Sequence, residues 1–563
     1  MGYVLLWIEN LAVSLLLVAT VIACVGRIRL RWLRLAIWFS VGLIVFLPYL
    51  VLTIATGIFK FFHFYDVGFY PILLLMLSYL VGTIWLVYIG LRTGGAEPGA
   101  VPAASWPRGK LALAFGVAVA LHLMTFWNLD LEARQQLAAL RTEAGAIAMS
   151  VAPPRVPDKD NAALLYEQAA QALNAAIERM PKEPTKEESQ TEFGMQSIPV
   201  TKNAWNKWLD SMDKPDFNPQ DPELVRFLQR QSGVISLLME AAKKSGCYFE
   251  HDYNRPNIEM LLPEMQTARQ NARLLALDAR CKAATGDLRA AFEDVNAMFA
   301  LAQNVSNEPM LIATLVGCAI DSMAKDTLQT ILAAHQPGAE ELEIVKINTA
   351  FSYQKQMQRA LRYEEAFRFN IYCDIGKQYG FFNLGSDKPS RENLAITSYI
   401  YHVFLMDNEL KAERWYSKKI DELAAKPYYQ VKDQWRNLEQ DFGHKPSAAP
   451  QSMLVASVFP ALERYVETMV RADAQRSVAE LALAMCRYRA AMGKYPESLQ
   501  ELAPHLIAFV PIDPFDGKPI RLKQSEEEIV IYSVGPDGID NGGVPYDPKT
   551  RKGDIIFKLP QAK

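Results

Sequence analysis

Residues 274–303 read LLALDARCKAATGDLRAAFEDVNAMFALAQ. Leu274, Leu277 and Cys281, then Leu288, Phe292, Val295 and Phe299, recur three and four residues apart, the period of a helix with one apolar face. Gly286 and Asp287 interrupt that period and supply a tight turn between two helices. Ala276, Ala279, Ala283, Ala284, Ala290 and Ala291 flank the turn, and side chains this small let antiparallel helices approach closely.

The same periodicity extends outward over most of residues 161–470, so the bulk of the chain is expected to be α-helical. Helices are predicted at 161–179, 222–245, 263–285, 288–305, 309–335, 339–375 and 453–469. The hairpin at 274–303 resembles a tetratricopeptide-type repeat, although an ordinary helical hairpin is the favoured reading and no second copy recurs at a period of about 34 residues. Residues 182–199 and 376–392 are rich in Pro, Gly, Ser and charge and read as long loops, candidates for binding surface.

Half of the 563 residues are hydrophobic, but the long apolar runs concentrate before residue 130. Four stretches, 11–26, 35–59, 70–91 and 111–127, come close to the ~20 apolar residues that cross a bilayer. Arg27, Arg29, Arg31 and Arg34 follow the first stretch, the next connection has only Lys60, and the third has Arg92, Arg108 and Lys110. Positive charge on alternate connections predicts an N-terminus and a C-terminal bulk on the side opposite the cytosol. A cleaved signal peptide is the rival reading of the first stretch, though no basic residue precedes its apolar run. The expected organisation is mainly α: an N-terminal four-helix transmembrane bundle at 1–128, a large α-helical extracytoplasmic domain at 129–473, and a small C-terminal α+β domain at 474–563. The expected location is the inner (cytoplasmic) membrane, with the lipid bilayer and other envelope proteins as partners. A net charge of −3 with interspersed signs argues against nucleic acid as a partner.

Motifs for catalysis are absent. His63, His122, His251, His335, His402, His444 and His505 form no metal-ligand pair, and no Walker loop, nucleophile elbow or dinucleotide fingerprint occurs. His251-Asp252 beside Cys247 is the single local cluster, and no catalytic residue is assigned. The cysteines, Cys24, Cys247, Cys281, Cys318, Cys373 and Cys486, read as buried thiols in apolar helices or as one long-range disulfide plus free thiols.

The last ninety or so residues change character. A helix at 474–492 stops at Gly493-Lys494-Tyr495-Pro496, the turn Pro511-Ile512-Asp513-Pro514 with Gly517 follows, and strands are predicted at 520–523, 528–534 and 554–559 around a Gly- and Asp-rich loop, 535–553. With Tyr488-Arg489, Tyr532-Ser533-Val534-Gly535-Pro536-Asp537-Gly538 and Gly553-Asp554-Ile555, this order resembles the globular domain of the major pseudopilin of type II secretion systems, over roughly a sixth of the chain. The resemblance implies a helix packed on a small sheet, with the loop before the last strand pinned by calcium. It assigns the Val534 carbonyl and Asp537 as ligands, with Asp554 and one of Asp540, Asn541 or Asp547 as further ones. Such oxygens among glycines suit Ca²⁺, but a plain loop of solvated aspartates fits too, and Lys549, Arg551 and Lys552 would oppose a cation if they fold toward it. The chain departs from the family in its N-terminal anchor and in Glu463, Glu467, Arg471 and Asp473, where a polymerising helix would be apolar, so a filament subunit is not expected.

The function expected from these features is a membrane-anchored extracytoplasmic scaffold that binds other proteins, associated with a secretion or surface apparatus. A membrane-bound extracytoplasmic hydrolase with its site in the helical domain is the alternative, and a calcium-responsive sensor ranks behind both.

Overall fold

The computed structural model describes residues 108–179, 202–212, 214, 216–256, 262–374, 406–444 and 462–561. Among these the chain is mainly helical: α1 Arg108–Val151, α2 Ala162–Glu178, α3 Lys202–Ser211, α4 Pro222–Arg230, α5 Ser232–Ala241, α6 Pro263–Ala284, α7 Leu288–Ser306, α8 Leu311–Ala334, α9 Ala339–Leu342, α10 Tyr353–Asp374, α11 Met406–Ala424, α12 Tyr428–His444 and α13 Leu462–Met492. The strands β1 Arg521–Gln524, β2 Glu528–Ser533 and β3 Ile555–Pro560 form one antiparallel sheet in that order. The chain divides into two compact units, one of Met1–Thr142, Tyr372–Trp415 and Gln440–Ser457, the other of Glu143–Ile371, Tyr416–Glu439 and Val458–Lys563. Within the first, Arg141 pairs with Asp374 at 2.6 Å.

Among the described residues no helix is long and apolar enough to cross a membrane. This finding corrects the expected transmembrane bundle, and with it the placement in the inner membrane with an extracytoplasmic C-terminal part. The stretch 111–127 is the opening part of α1, a helix of 44 residues that continues through Asp130, Glu132 and Arg134 to Val151. At 1.5 Å per residue that apolar stretch rises only about 25 Å, short of the ~30 Å hydrocarbon core. The other three expected spans, 11–26, 35–59 and 70–91, lie outside the described residues.

The second unit is built around α6, α7 and α8, which pack on one another. Gly286 turns the chain between α6 and α7 at φ +87°, a left-handed conformation that glycine adopts without strain. Ala276, Ala279 and Ala291 are fully buried in the hairpin, and Gly317 of α8 lies so close to α7 that a Cβ there would collide with Ser306 Oγ and the Ala302 carbonyl. Lys282 ties the hairpin polar groups together, reaching Asp278 at 2.6 Å and Asp294 at 2.7 Å. Asp294 is fully buried, and burial holds its carboxyl well above the ordinary carboxylate range, with Asp278 adding to the effect and Lys282 opposing it.

Four predicted helices differ from the structure. Residues 222–245 form two helices that part at Gln231, just before Ser232-Gly233, residues that permit a bend. Residues 339–375 break after α9, and Asn296 holds the break by accepting from Lys346 N–H at 2.9 Å and donating to the Ile344 carbonyl. The segments predicted at 453–469 and 474–492 join into α13, a continuous helix of 31 residues. Asp473 in its middle serves another helix: its carboxylate accepts from Tyr353 N–H at 2.7 Å, Gln354 N–H at 3.0 Å and Ser352 Oγ at 3.0 Å, satisfying the open N-terminal donors of α10.

α13 packs against both α8 and the sheet. Arg476 joins these layers. Its guanidinium pairs with buried Asp321 of α8, donates to the Asn348 carbonyl at 3.0 Å, and lies over the rings of Phe351 at 5.1 Å and Phe299 at 5.9 Å. Burial still pushes Asp321 up to about 6 against the pull of Arg476. Removing one member of a buried pair strands the other charge, a cost of about 3–5 kcal/mol. Arg476→Met is therefore expected to lower unfolding stability in urea by that amount, and the double variant Asp321→Leu/Arg476→Met to recover most of it.

Candidate functional site

The acidic loop of the C-terminal module follows β2, and its first anchor is Asp513, which is fully buried. Asp513 Oδ1 accepts from Phe515 N–H at 3.0 Å and Ser533 Oγ at 2.9 Å, while Oδ2 accepts from Val534 N–H at 2.8 Å. Arg521 of β1 completes the cluster, reaching Asp513 at 3.5 Å, Asp516 at 2.5 Å and Asp540 at 3.0 Å. Val534, assigned as a carbonyl ligand from the resemblance, is thus held by its N–H at the end of β2.

The other five assigned residues separate into three groups. Asp537, Asn541 and Asp554 meet: Asp537 Oδ2 accepts from Asn541 Nδ2 and from Gly553 N–H, both at 3.1 Å. Asp554 accepts from Asn541 N–H at 3.2 Å and Gly543 N–H at 2.6 Å. Asp540 turns toward Arg521 and Tyr532, and its carboxyl lies below the ordinary range because donors from Gly542, Tyr532 and Arg521 outweigh desolvation. Asp547 accepts from Lys549 N–H at 2.9 Å and Thr550 Oγ1 at 2.9 Å within its own turn.

In this arrangement each of these carboxylates accepts N–H or O–H donors, and Asp540 also faces the Arg521 guanidinium. Among the described residues no group of three or more His, Cys, Asp or Glu side chains is placed to hold a metal ion. Arg551 does not fold onto the loop carboxylates; it pairs with Glu467 of α13, and Arg471 lies over the Tyr546 ring at 5.3 Å. Glu467 and Arg471, which depart from an apolar polymerising helix, thereby fasten the loop to α13.

A second cluster lies in the helical part of the same unit. Asn161 fixes the segment that carries it, accepting from Tyr248 N–H at 2.8 Å and donating to the Tyr248 carbonyl at 2.9 Å. His251 does not engage Asp252 or Cys247; its Nε2 lies 2.9 Å from Glu264 Oε1 near the start of α6. Burial opposes charge on His251, but Glu264, with Glu308 and Glu167 farther off, raises its pKa above the ordinary value. Burial pushes the Cys247 thiol up, which disfavours the thiolate.

Tyr253 OH lies 2.9 Å from the Phe249 carbonyl and 2.6 Å from Glu308 Oε2. One hydroxyl proton cannot serve both acceptors. When Tyr253 donates to Phe249, Glu308 must carry a proton and donate to Tyr253. Glu308 is 1% exposed, and burial raises its carboxyl to about 7 against the opposing hydrogen bond of Tyr253 and charge of His251. Tyr363 of α10 contacts Tyr253 edge-on at 6.5 Å, and its own buried hydroxyl has no hydrogen-bond partner. The cluster can store and pass a proton, yet neither the groove of about 550 Å³ beside β1 nor the pocket of about 300 Å³ at Phe217 and Ile331 touches it.

Sequence reasoning named His251 but missed Tyr253, two residues on, and Glu264, Glu308 and Tyr363, which other segments supply. Asp513 and Arg521 were also missed, although Asp513 sits in the quoted Pro511–Pro514 turn and its Asp-Pro step is a local signal. The five free cysteines among the described residues are all buried. No protein-family model, curated protein or solved structure matches the chain.

Two outcomes are expected. Asp513→Ala strands Val534 N–H and Phe515 N–H and should cost about 2–3 kcal/mol in thermal or urea unfolding. Glu308 binds its proton more tightly folded than unfolded, so its stabilisation is complete below its ordinary value of 4.5 and is lost as pH rises through about 7. The raised pKa of His251 acts in the same direction. Urea unfolding across that window should show a fall of about 3 kcal/mol from the Glu308 proton, and Glu308→Gln should remove most of this slope.

Proposed function

We propose that this protein is a protein-interaction scaffold rather than an enzyme, with its C-terminal module as the partner-facing part. The observation that carries this reading is the set of large apolar side chains left in solvent on an otherwise well-anchored module: Phe509 is 70% exposed, Ile512 49%, Ile539 60% and Val544 57%. Phe509 and Ile512 lie on a segment fixed at both ends, by Ile507 in the core and by Asp513 in its hydrogen-bond cluster. Apolar groups held in water by a fixed backbone gain free energy when a partner covers them. The loop carboxylates support the same reading, because their hydrogen bonds stiffen the platform.

The resemblance of residues 474–563 to a pseudopilin globular domain supports partners drawn from a secretion or surface apparatus. The hydrolase alternative draws on His251, Glu264 and Glu308. Glu264 and Glu308 are buried, His251 is half-buried, and all three are already paired, which favours a structural proton store over substrate chemistry.

Affinity capture from the source cells, using the full chain and quantitative mass spectrometry, tests the scaffold reading. A defined partner set is expected, reduced about tenfold by Phe509→Ser/Ile512→Ser, the loss that follows when central apolar anchors are truncated. Identical recoveries with both chains would reject the assignment.

A further inference from the structure

β1 is the edge strand of the sheet, and its register fixes which backbone groups face away from β2. Ser525 N–H donates to the Glu528 carbonyl across the hairpin, and Lys523 pairs with Val530 and Arg521 with Tyr532. In an antiparallel ladder hydrogen-bonded pairs alternate with non-bonded ones, so Arg521, Lys523 and Ser525 turn their groups toward β2. Ile520, Leu522 and Gln524 therefore turn theirs outward. Ile520 agrees with this, because its N–H donates to the Pro511 carbonyl on the outer side at 3.0 Å. Beyond that bond no described group of the chain pairs with the outward N–H and C=O of Leu522 and Gln524, which form a short open edge.

A groove of about 550 Å³ runs beside this edge. Leu499, Ile520 and Leu522 form its apolar lining, and Glu497 and Gln524 are among its polar residues. Glu497 and the hairpin residues Glu526 and Glu527 are exposed and make no ion pair among the described residues. The basic residues of β1 are committed elsewhere: Arg521 to Asp513, Asp516 and Asp540, and Lys523 to the Gly542 carbonyl at 2.8 Å. The opposite edge differs, since β3 packs on α8 and Lys558 N–H donates to Gln329 of that helix. Open main-chain groups, an apolar floor at alternate positions and an uncompensated acidic rim together specify a ligand.

We propose that the β1 edge and its groove take an extended basic segment of a partner protein as a fourth strand. Main-chain bonds to Leu522 and Gln524 supply pairing, apolar side chains of the segment reach Leu499 and Leu522, and its lysines or arginines face Glu497, Glu526 and Glu527. This inference rests on the scaffold reading and names the chemistry of one partner at a surface separate in sequence from Phe509 and Ile512.

The test is fluorescence anisotropy with the full chain and a labelled octapeptide in which lysine alternates with valine, compared with one alternating aspartate and valine. The lysine peptide is expected to bind at least about tenfold more tightly. Gln524→Pro removes an outward N–H and leaves the β2 ladder intact, so it should weaken binding about tenfold, while Gln524→Ala stays within about twofold. Glu497→Lys should weaken binding without altering the fold, which keeps the test decisive if the proline variant unfolds. Equal affinity for both peptides, or indifference to both Gln524→Pro and Glu497→Lys, overturns the proposal. So does a concentration-dependent dimer in analytical ultracentrifugation that Gln524→Pro abolishes, because the edge would then belong to a second copy. Partner capture that depends on Phe509 and Ile512 would survive either failure.

Discussion

The guanidinium of Arg476 is the point through which the larger unit holds together. It reaches Asp321 on α8, the carbonyl of Asn348 in the connection before α10, and the faces of Phe299 and Phe351. A planar, permanently charged group can satisfy a carboxylate, a carbonyl and two aromatic faces at once, which an ammonium could not. Because α13 also backs the sheet, fixing α13 against α8 fixes the C-terminal module against the helical array. Asp473, one turn earlier, adds to this by capping α10 from outside that helix.

The acidic loop obeys a second constraint: charged groups that leave water must find donors. Here the backbone provides them. Asp513, Asp537 and Asp554 gather N–H groups from Phe515, Val534, Gly553, Asn541 and Gly543, so the loop closes on itself and against α13. A stiff module with apolar residues at its surface and an open strand edge is suited to binding proteins.

The helical part answers the same constraint differently. Glu264, Tyr253 and Glu308 are buried beside half-buried His251, and their charges are resolved by sharing protons instead of by a dense set of backbone donors. Such a cluster links stability to pH without requiring a substrate, and the unpartnered Tyr363 hydroxyl beside it marks where polar satisfaction is incomplete.

Local pattern by itself determined much of the secondary structure. The α6–α7 hairpin was legible because its apolar period, its alanines and Gly286 are all local, and β2 and β3 were legible because each is a short apolar run between turn residues. Hydropathy also suggested membrane spans; in the described part, 111–127 proved to be the start of a longer helix, since an apolar run does not reveal what continues it. Tertiary structure alone decided where the carboxylates point. Asp540 and Asp554 look alike in sequence, yet one faces Arg521 and the other faces backbone amides, because side-chain direction depends on how a loop closes. Glu308 and Tyr363 reach the His251 region from segments far along the chain, and no linear pattern encodes a meeting that only packing brings about.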